Sequence, residues 1–432
     1  MEINIKDGYK VTEVGVIPDD WEVKKLGELL KFKNGINADK KYYGEGIKFI
    51  NILEIIQKRY LFYQDIPGFV TIDSATIKSN LVQLGDILFN RTSETQEEVG
   101  LTSVYLDNKD VVFGGFVIRG RPINNLLDYF FSQYAFSSAI VRNQIIKRGQ
   151  GAIRANIGQS DLKEVCIPLP PLAEQKAIAH ALSDVDNLIT AIDQLITKKR
   201  NLKQGTMQEL LTGKKRLPGF SGKWEVKKLG ELINSLQNGY GFSARGYIRV
   251  GIPIVTMAQI GLDGSFQFDE SKVNFWTSSE FESLKNYHLK YGDVIIAMTD
   301  VTPSKNLIGR MCQVNRRETF LLNQRVGLLR IDREKINPLF LVALSNLSNT
   351  KGWRDYSKSV ASLGVQANIS TKDILNGTIK IPTIEEQKAI AEILTDMDKE
   401  IEALEKKRDK YKTIKQGMMQ ELLTGKTRII DN

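Results

Sequence analysis

Cysteine and histidine are almost missing from this chain of 432 residues, with two of each. Cys166 and Cys312 form no metal-ligand spacing and suggest no disulfide framework, which fits a reducing cytosol. His180 and His288 are too few and too far apart in sequence for a zinc site or a nucleophile–histidine–acid triad. No apolar run approaches a membrane span, and the opening Met-Glu-Ile-Asn-Ile-Lys-Asp lacks a signal-peptide pattern, so a cytoplasmic protein with no membrane partner is expected. There is no phosphate-binding loop. Leu423-Thr424-Gly425-Lys426-Thr427 ends like one, but Gln420 stands where the earlier glycine belongs. No Gly-x-Gly-x-x-Gly follows a strand. These absences point away from catalysis and toward recognition or assembly, with no metal and no cofactor bound by the chain.

What is present is a duplication. Trp21-Glu22-Val23-Lys24-Lys25-Leu26-Gly27-Glu28-Leu29 recurs letter for letter as Trp224 to Leu232. Glu174-Gln175-Lys176-Ala177-Ile178-Ala179 recurs as Glu386 to Ala391, and Met207 to Lys214 as Met419 to Lys426. Such matches mark a tandem repeat. The offset between copies grows along the chain, so the second variable region carries net insertions. Four blocks result: 1–166 and 217–378 are variable, and 167–216 and 379–432 are repeated. The variable blocks differ in most letters yet share a frame. Asn34-Gly35 parallels Asn238-Gly239, and Ala155-Asn156-Ile157 parallels Ala367-Asn368-Ile369.

The variable blocks read as α+β. Short β-type runs fall at 47–52, 87–89, 111–113, 116–118, 294–297 and 326–329, with helical stretches near 126–145 and 338–347. Asn337-Pro338-Leu339-Phe340 faintly resembles the Asn-Pro-Pro-Tyr/Phe motif of amino-methyltransferases, but it lacks the second proline and reads as a helix start. The repeated blocks read as helices of roughly 40 residues, or about 60 Å. In the first, Ile178, Leu182, Val185, Ile189, Ile192 and Ile196 make a heptad seam. In the second the seam is Ile390, Leu394, Met397, Ile401 and Leu404, continuing through Tyr411, Ile414, Met418 and Leu422. Thr383 and Glu386 have capping-box spacing. Lys198-Lys199-Arg200 and Lys406-Lys407-Arg408 read as solvated stretches. Gly205 and Gly417 either let helices approach closely or break them. Neither helix has a partner in its own half, so the two are expected to pair, antiparallel, about an approximate two-fold axis.

Sixty Lys+Arg against fifty-one Asp+Glu give a net charge of +9, which favours a polyanionic partner. Groups suited to phosphates and base edges cluster at turns of the variable blocks. In the first block these are Lys33, Asn34, Arg91, Thr92, Ser93, Arg148, Gln150 and Arg154, the last three within a glycine-rich stretch that includes Ala152 and Ile153. In the second they are Asn238, Tyr240, Arg245, Thr299, Lys305 and Lys358, with Ser359 and Gln366 nearby. An adaptor that binds proteins through twin domains is the competing reading. A self-sufficient nuclease or methyltransferase lacks its motifs.

These residues together resemble the specificity subunit of type I restriction-modification systems. The paired Trp21/Leu26-Gly27-Glu28 and Trp224/Leu229-Gly230-Glu231 openings carry the likeness, as do Asn156 and Asn368 and, above all, Ile167 to Lys176 with its copy Ile379 to Lys388. The copy departs at Lys380 and Thr383, opposite Pro168 and Pro171. The resemblance implies two target-recognition domains, mixed α/β with small sheets, separated by two long antiparallel coiled-coil helices. Each domain would read half of a split asymmetric site in double-stranded DNA. The helix pair would set the spacer and dock two modification (methyltransferase) subunits. S-adenosylmethionine, ATP and Mg would belong to those subunits and to restriction (translocase/nuclease) subunits.

Overall fold

Two uninterrupted helices of 39 residues, α1 (Leu172–Leu210) and α2 (Ile384–Leu422), carry the heptad pattern. The structure, a computed structural model, describes residues 7–151, 154–348, 352–362 and 366–429. It divides into two units, and the division falls inside these helices. The first unit holds the described residues up to Asp193 and those from Lys406 onward; the second is Gln194–Glu405. Each unit therefore contains the first half of one helix and the second half of the other. Among the described residues no helix is long and apolar enough to cross a membrane.

Within each unit the two half-helices run antiparallel. In the first, Asp186 meets Lys415 and Asp193 meets Arg408; in the second, Lys199 meets Glu400 and Lys203 meets Asp398. Ile178, Leu182, Ile192, Ile196, Ile390, Leu394 and Ile401 are buried along the seam, while Val185, Ile189, Met397 and Leu404 are half-buried. The seam departs from expectation at one place. Ile414 is 40% exposed and Lys415 only 7%. The 4-3 rhythm through Leu404, Arg408, Tyr411, Lys415, Met418 and Leu422 leaves Ile414 one residue, about 100°, round the helix. Lys415 Nζ reaches Asp186 at 2.5 Å, and Asp186 also accepts from Arg59 at 2.8 Å and from the Tyr134 hydroxyl at 2.9 Å. Burial pushes the Lys415 pKa below the usual lysine value despite this partner. Lys203 and Asp398 repeat the pair in the second unit at 2.5 Å.

The basic runs also differ from expectation. Lys199, Arg200 and Arg408 are not simply solvated but form ion pairs with Glu400, Glu405 and Asp193 on the facing helix. Gly205 and Gly417 do neither thing expected of them. Both helices run through them, and a Cβ at either would meet nothing within 4 Å. The repeated Leu-Leu-Thr-Gly-Lys is a helix stop. Gly213 and Gly425 take the left-handed conformation, φ 70° and 71°, that ends each helix without a Cβ penalty.

Each globular part is built on the same plan. A mostly antiparallel sheet orders its strands Leu30–Asn34, Val117–Pro122, Ile87–Asn90, Thr102–Tyr105, with Tyr60–Leu61 added parallel at the edge. The second unit has Ile233–Asn238, Val326–Ile331, Val294–Ala297, Met311–Gln313 in the same order. A smaller sheet stands beside each, pairing Val111–Phe113 with Tyr43–Ile50, and Phe320–Leu322 with Ile252–Val255, both parallel. Asn337 caps the helix Pro338–Asn346, accepting from Phe340 N–H at 3.0 Å, which makes the Asn-Pro motif the helix start expected of it.

The repeated motifs meet in space. Strand Glu22–Lys25 pairs with Cys166–Leu169, the lead-in to α1, and Glu225–Lys228 pairs with Thr378–Ile381, the lead-in to α2. Gln175, fully buried, accepts from Asp128 N–H and donates to the carbonyls of Leu126 and Pro170; Gln387 does the same with Asn337, Lys335 and Pro382. Glu174 accepts from Trp21 Nε1 at 2.9 Å and from Arg428 through two bonds of 2.7 and 2.8 Å. Arg428 also forks onto Asp20, holding that carboxyl below its ordinary pKa. In the second unit Glu386, 1% exposed, takes two bonds of 2.6 Å from Arg216, so it closes no capping box with Thr383. The Glu-Gln pair thus fastens each helix start to its globular part, and an arginine beyond the other helix's end closes the joint.

Arg428→Ala should lower the stability of the first unit by about 3 kcal/mol, because it strands a buried carboxylate. Adding Glu174→Gln should recover part of that loss. Urea unfolding of both variants checks this.

Candidate nucleic-acid interface

Each unit carries a two-residue ribbon beyond its main sheet. In the first, β1 (Thr92–Ser93) pairs antiparallel with β2 (Ala155–Asn156); in the second, β3 (Thr299–Asp300) pairs with β4 (Ala367–Asn368). The ribbons share one side-chain bond. Thr92 Oγ1 donates to Asn156 Oδ1 at 2.6 Å, and Thr299 Oγ1 donates to Asn368 Oδ1 at 2.8 Å. Each asparagine then donates through Nδ2 two residues back, to Arg154 O at 3.0 Å and to Gln366 O at 3.2 Å. Gln150 and Asn156 exchange both backbone bonds, while Ser362 N–H donates to Asn368 O.

The neighbouring turns approach closely. A Cβ on Gly35 would lie 2.1 Å from Gly114 O, and one on Gly239 would lie 2.2 Å from Asn323 O, so the Asn-Gly pairs let two backbones touch. Arg91 joins the two features in the first unit. Its N–H donates to Phe116 O at 2.9 Å, its O accepts from Ile157 N–H, and its Nη1 donates to Gly115 O at 3.3 Å.

The first unit therefore brings Asn34, Arg91, Thr92, Gln150 and Arg154 together. Arg154, Gln150 and Asn34 are exposed. Three candidates are spent elsewhere. Lys33 Nζ donates to Ser79 O at 2.5 Å, and burial beside Arg119 and Arg121 lowers its pKa. Ser93 is buried and donates to Glu98 at 2.8 Å. Arg148 donates to the carbonyls of Gln144 and Glu164. Ala152 and Ile153 lie outside the described residues.

In the second unit Asn238 and Tyr240 stand beside the ribbon's turn. Asn238 accepts from Thr371 Oγ1 at 3.3 Å, and Tyr240, 37% exposed, packs edge-to-face against Phe242 and at a tilt against Tyr287, with ring centres 4.9 and 5.3 Å apart. Arg245 is exposed on the turn Ala244–Gly246. Thr299 is buried at 3% and serves the ribbon internally. Lys305, at φ 47°, donates to the carbonyls of Ala361 and Ser362, and Lys358 donates to Asn306 Oδ1 at 2.9 Å. Ser359 donates its hydroxyl to Tyr356 O at 2.8 Å, and Gln366 is exposed two residues before Asn368.

Sequence reasoning passed over two kinds of residue. Asn156 and Asn368 enter the sequence reading as repeated letters that carry the family resemblance and not as contact residues, although the Ala-Asn-Ile repeat inside otherwise divergent blocks is a usable signal. Arg142 and Arg354 gave none. Arg142 Nη2 donates to Glu97 O and Val99 O, and Arg354 donates to Asn306 O and Ile308 O, so each ties down the segment leaving the ribbon. Burial lowers the pKa of both, Arg354 to about 10 with help from Arg310.

The arrangement offers amides, hydroxyls, guanidiniums and one exposed aromatic ring on short, cross-braced turns. Such groups suit hydrogen bonding to phosphates and base edges. Comparison with known proteins gives the family and the fold. The family model for the type I restriction modification DNA specificity domain matches residues 18–202 and again 221–413. The chain is 28% identical, over 99% of its length and 98% of the relative's, to the type I restriction enzyme MjaVIII specificity subunit of Methanocaldococcus jannaschii. It is 24% identical to the EcoKI specificity subunit of Escherichia coli, covering 87% of this chain and 82% of that one. The fold is similar to that of the type I restriction-modification S subunit from M. genitalium, with TM-score 0.55, 16% identity and coverage of 97% and 98%. It is also similar to a chain from a type I R-M system studied for complex assembly and conformational transition, with TM-score 0.57, 17% identity and coverage of 95% and 99%.

Arg154→Ala and Arg245→Ala should each weaken binding of random-sequence duplex DNA and reduce its salt slope by about one. Arg148→Ala should leave both unchanged, since its guanidinium is held by carbonyls. Fluorescence anisotropy across a salt series checks all three.

Proposed function

The chain belongs to the type I restriction modification DNA specificity family, and on that footing we propose that it is the DNA sequence-recognition subunit of a type I restriction-modification complex, without bond-making chemistry of its own. Each unit reads one half of a split, asymmetric site in double-stranded DNA. The observation that carries this is the pair of ribbons. The Thr92–Asn156 frame recurs as Thr299–Asn368, while the exposed groups around it differ, with Arg154 facing Gln366 and Gln150 facing Ser362 in the alignment of the two copies. One frame with two surfaces is what reading two unlike half-sites requires.

Direct contact falls to the exposed groups: Asn34, Gln150, Arg154, Asn238, Tyr240 and Arg245, with Arg91 and Thr92 behind them. Ser93 and Thr299 shape the ribbons. Lys33, Arg148, Lys305 and Lys358 brace neighbouring segments. The helices set the length of the unread spacer and dock two modification subunits. Those subunits supply S-adenosylmethionine and adenine methyltransferase chemistry, and restriction subunits add ATP- and Mg-dependent translocation and cleavage. At ~1.5 Å per residue a 39-residue helix extends to about 58 Å.

The test is methylation sequencing of DNA from cells co-expressing this chain with its modification subunit. A bipartite adenine-methylated motif that vanishes when this chain is omitted supports the reading. No motif, with the same modification subunit active beside another specificity chain, overturns it. Exchanging residues 224–365 for the corresponding block of another family member should change one half of the motif and leave the other intact. Deleting one heptad from both helices should change the spacer without changing either half. The same sequencing reads both outcomes.

A further inference from the structure

The two recognition edges match bond for bond in their backbones. In the first unit Gly35 N–H donates to Val117 O at 3.2 Å, Ile36 to Phe113 at 2.9 Å, Gly115 to Ile36 at 2.9 Å and Arg91 to Phe116 at 2.9 Å. In the second, Gly239 donates to Val326 at 3.2 Å, Tyr240 to Leu322 at 2.8 Å, Gln324 to Tyr240 at 2.9 Å and Met298 to Arg325 at 3.1 Å. Positions 36, 91 and 116 are therefore the structural equivalents of 240, 298 and 325. Each set holds one arginine, one aromatic and one aliphatic residue, but permuted. The first has Ile36, Arg91 and Phe116; the second has Tyr240, Met298 and Arg325.

The permutation changes what faces outward. Arg91 is half-buried and bonded to Gly115 O, and Met298 is 7% exposed. The third position sits at the tip of the turn. Phe116 is 55% exposed there, and Arg325 is exposed in its place. Among the described residues the Arg325 guanidinium has no hydrogen-bond or carboxylate partner. Its backbone is held, by Asn323 Oδ1 on its N–H at 3.1 Å and by Met298 N–H on its carbonyl. A large apolar ring and an unpaired cation thus occupy one rigid site in two copies of a frame.

Resting on the reading of the chain as a specificity subunit, we propose that this turn-tip position decides how the two half-sites differ. Arg325 reads a guanine through its N7 and O6, and Phe116 reads a thymine through its 5-methyl group. A frame used twice brings the same position to the same part of the duplex. A phenylalanine at that position gains nothing from a phosphate but packs well on a methyl group, so the position faces base edges. There a guanidinium fork matches the two acceptors of guanine. Neither residue is within the charged or amide-rich segments that mark DNA contacts in the sequence.

The test uses the full chain assembled with its modification subunits, methylating a randomised library around the wild-type motif. Arg325→Ala should lower discrimination at one guanine of one half-site by at least about fivefold and leave the other half unchanged. Arg325→Gln should shift that preference toward adenine, which a merely structural residue would not do. Phe116→Ala should act only on the other half-site, where it should abolish the distinction between thymine and uracil that the wild-type complex makes at one position. Wild-type stringency in Arg325→Ala and Phe116→Ala overturns the proposal while the specificity-subunit reading stands. So does an equal loss at both half-sites. A wild-type complex that methylates no defined motif overturns both.

Discussion

The structure turns on a buried carboxylate at the start of each long helix. Glu174 and Glu386 are all but sealed from solvent, and a bare carboxylate there would carry a heavy desolvation cost. The neutralising arginine comes from beyond the end of the other helix, Arg428 for Glu174 and Arg216 for Glu386. The first unit is built from two stretches of the chain, whereas the second is the single stretch Gln194–Glu405. The first closes only when residues after Lys406 return to it, which is why its boundary lies inside α1 and α2. Lys415–Asp186 and Lys203–Asp398 apply the same logic along the seam. Lys415 is buried at a core position, and a shift in register that took it from Asp186 would leave a buried charge without that partner.

That division of labour separates stability from recognition. The helix joints hold the repeated letters: Trp21 over Glu174, Gln175 on three backbone groups, Glu22–Lys25 along Cys166–Leu169. The recognition edges keep only what sets backbone geometry, the Asn-Gly pairs, the Thr–Asn bond and the arginine that pins each ribbon's exit. Outside that minimum some side chains brace neighbouring segments, as Lys33, Arg148, Lys305 and Lys358 do, while Asn34, Gln150, Arg154 and Arg245 are exposed. The residues at a turn tip can then be exchanged, phenylalanine in one copy and arginine in the other, without touching the frame.

Much of the fold was legible because it rests on periodicity and repetition. Heptad spacing located both helices, and β-type runs at 111–113 and 294–297 matched strands to the residue. Reading failed where a polar residue did an apolar residue's job. Ile414 looked like the next seam position, but the strict rhythm falls on Lys415, whose long stem packs inward while Asp186 satisfies its charge. Glu386 looked like a cap because Thr383 precedes it at the right spacing, yet a bidentate arginine outcompetes a backbone amide. At the recognition edges the sequence flagged basic and amide residues by type. Type does not say whether a lysine's ammonium meets solvent or, like Lys33 and Lys305, a carbonyl of a neighbouring segment.

The sequence by itself determined the duplication, the α+β class, the two long helices and the family, because all of these are carried by spacing and by repeated letters. The tertiary structure alone decided which half of each helix belongs to which unit, which carboxylate each basic residue meets, and which residues face outward beside the ribbons. Those depend on contacts between residues far apart in the chain, and a linear pattern holds no information about which distant group stands within hydrogen-bonding distance.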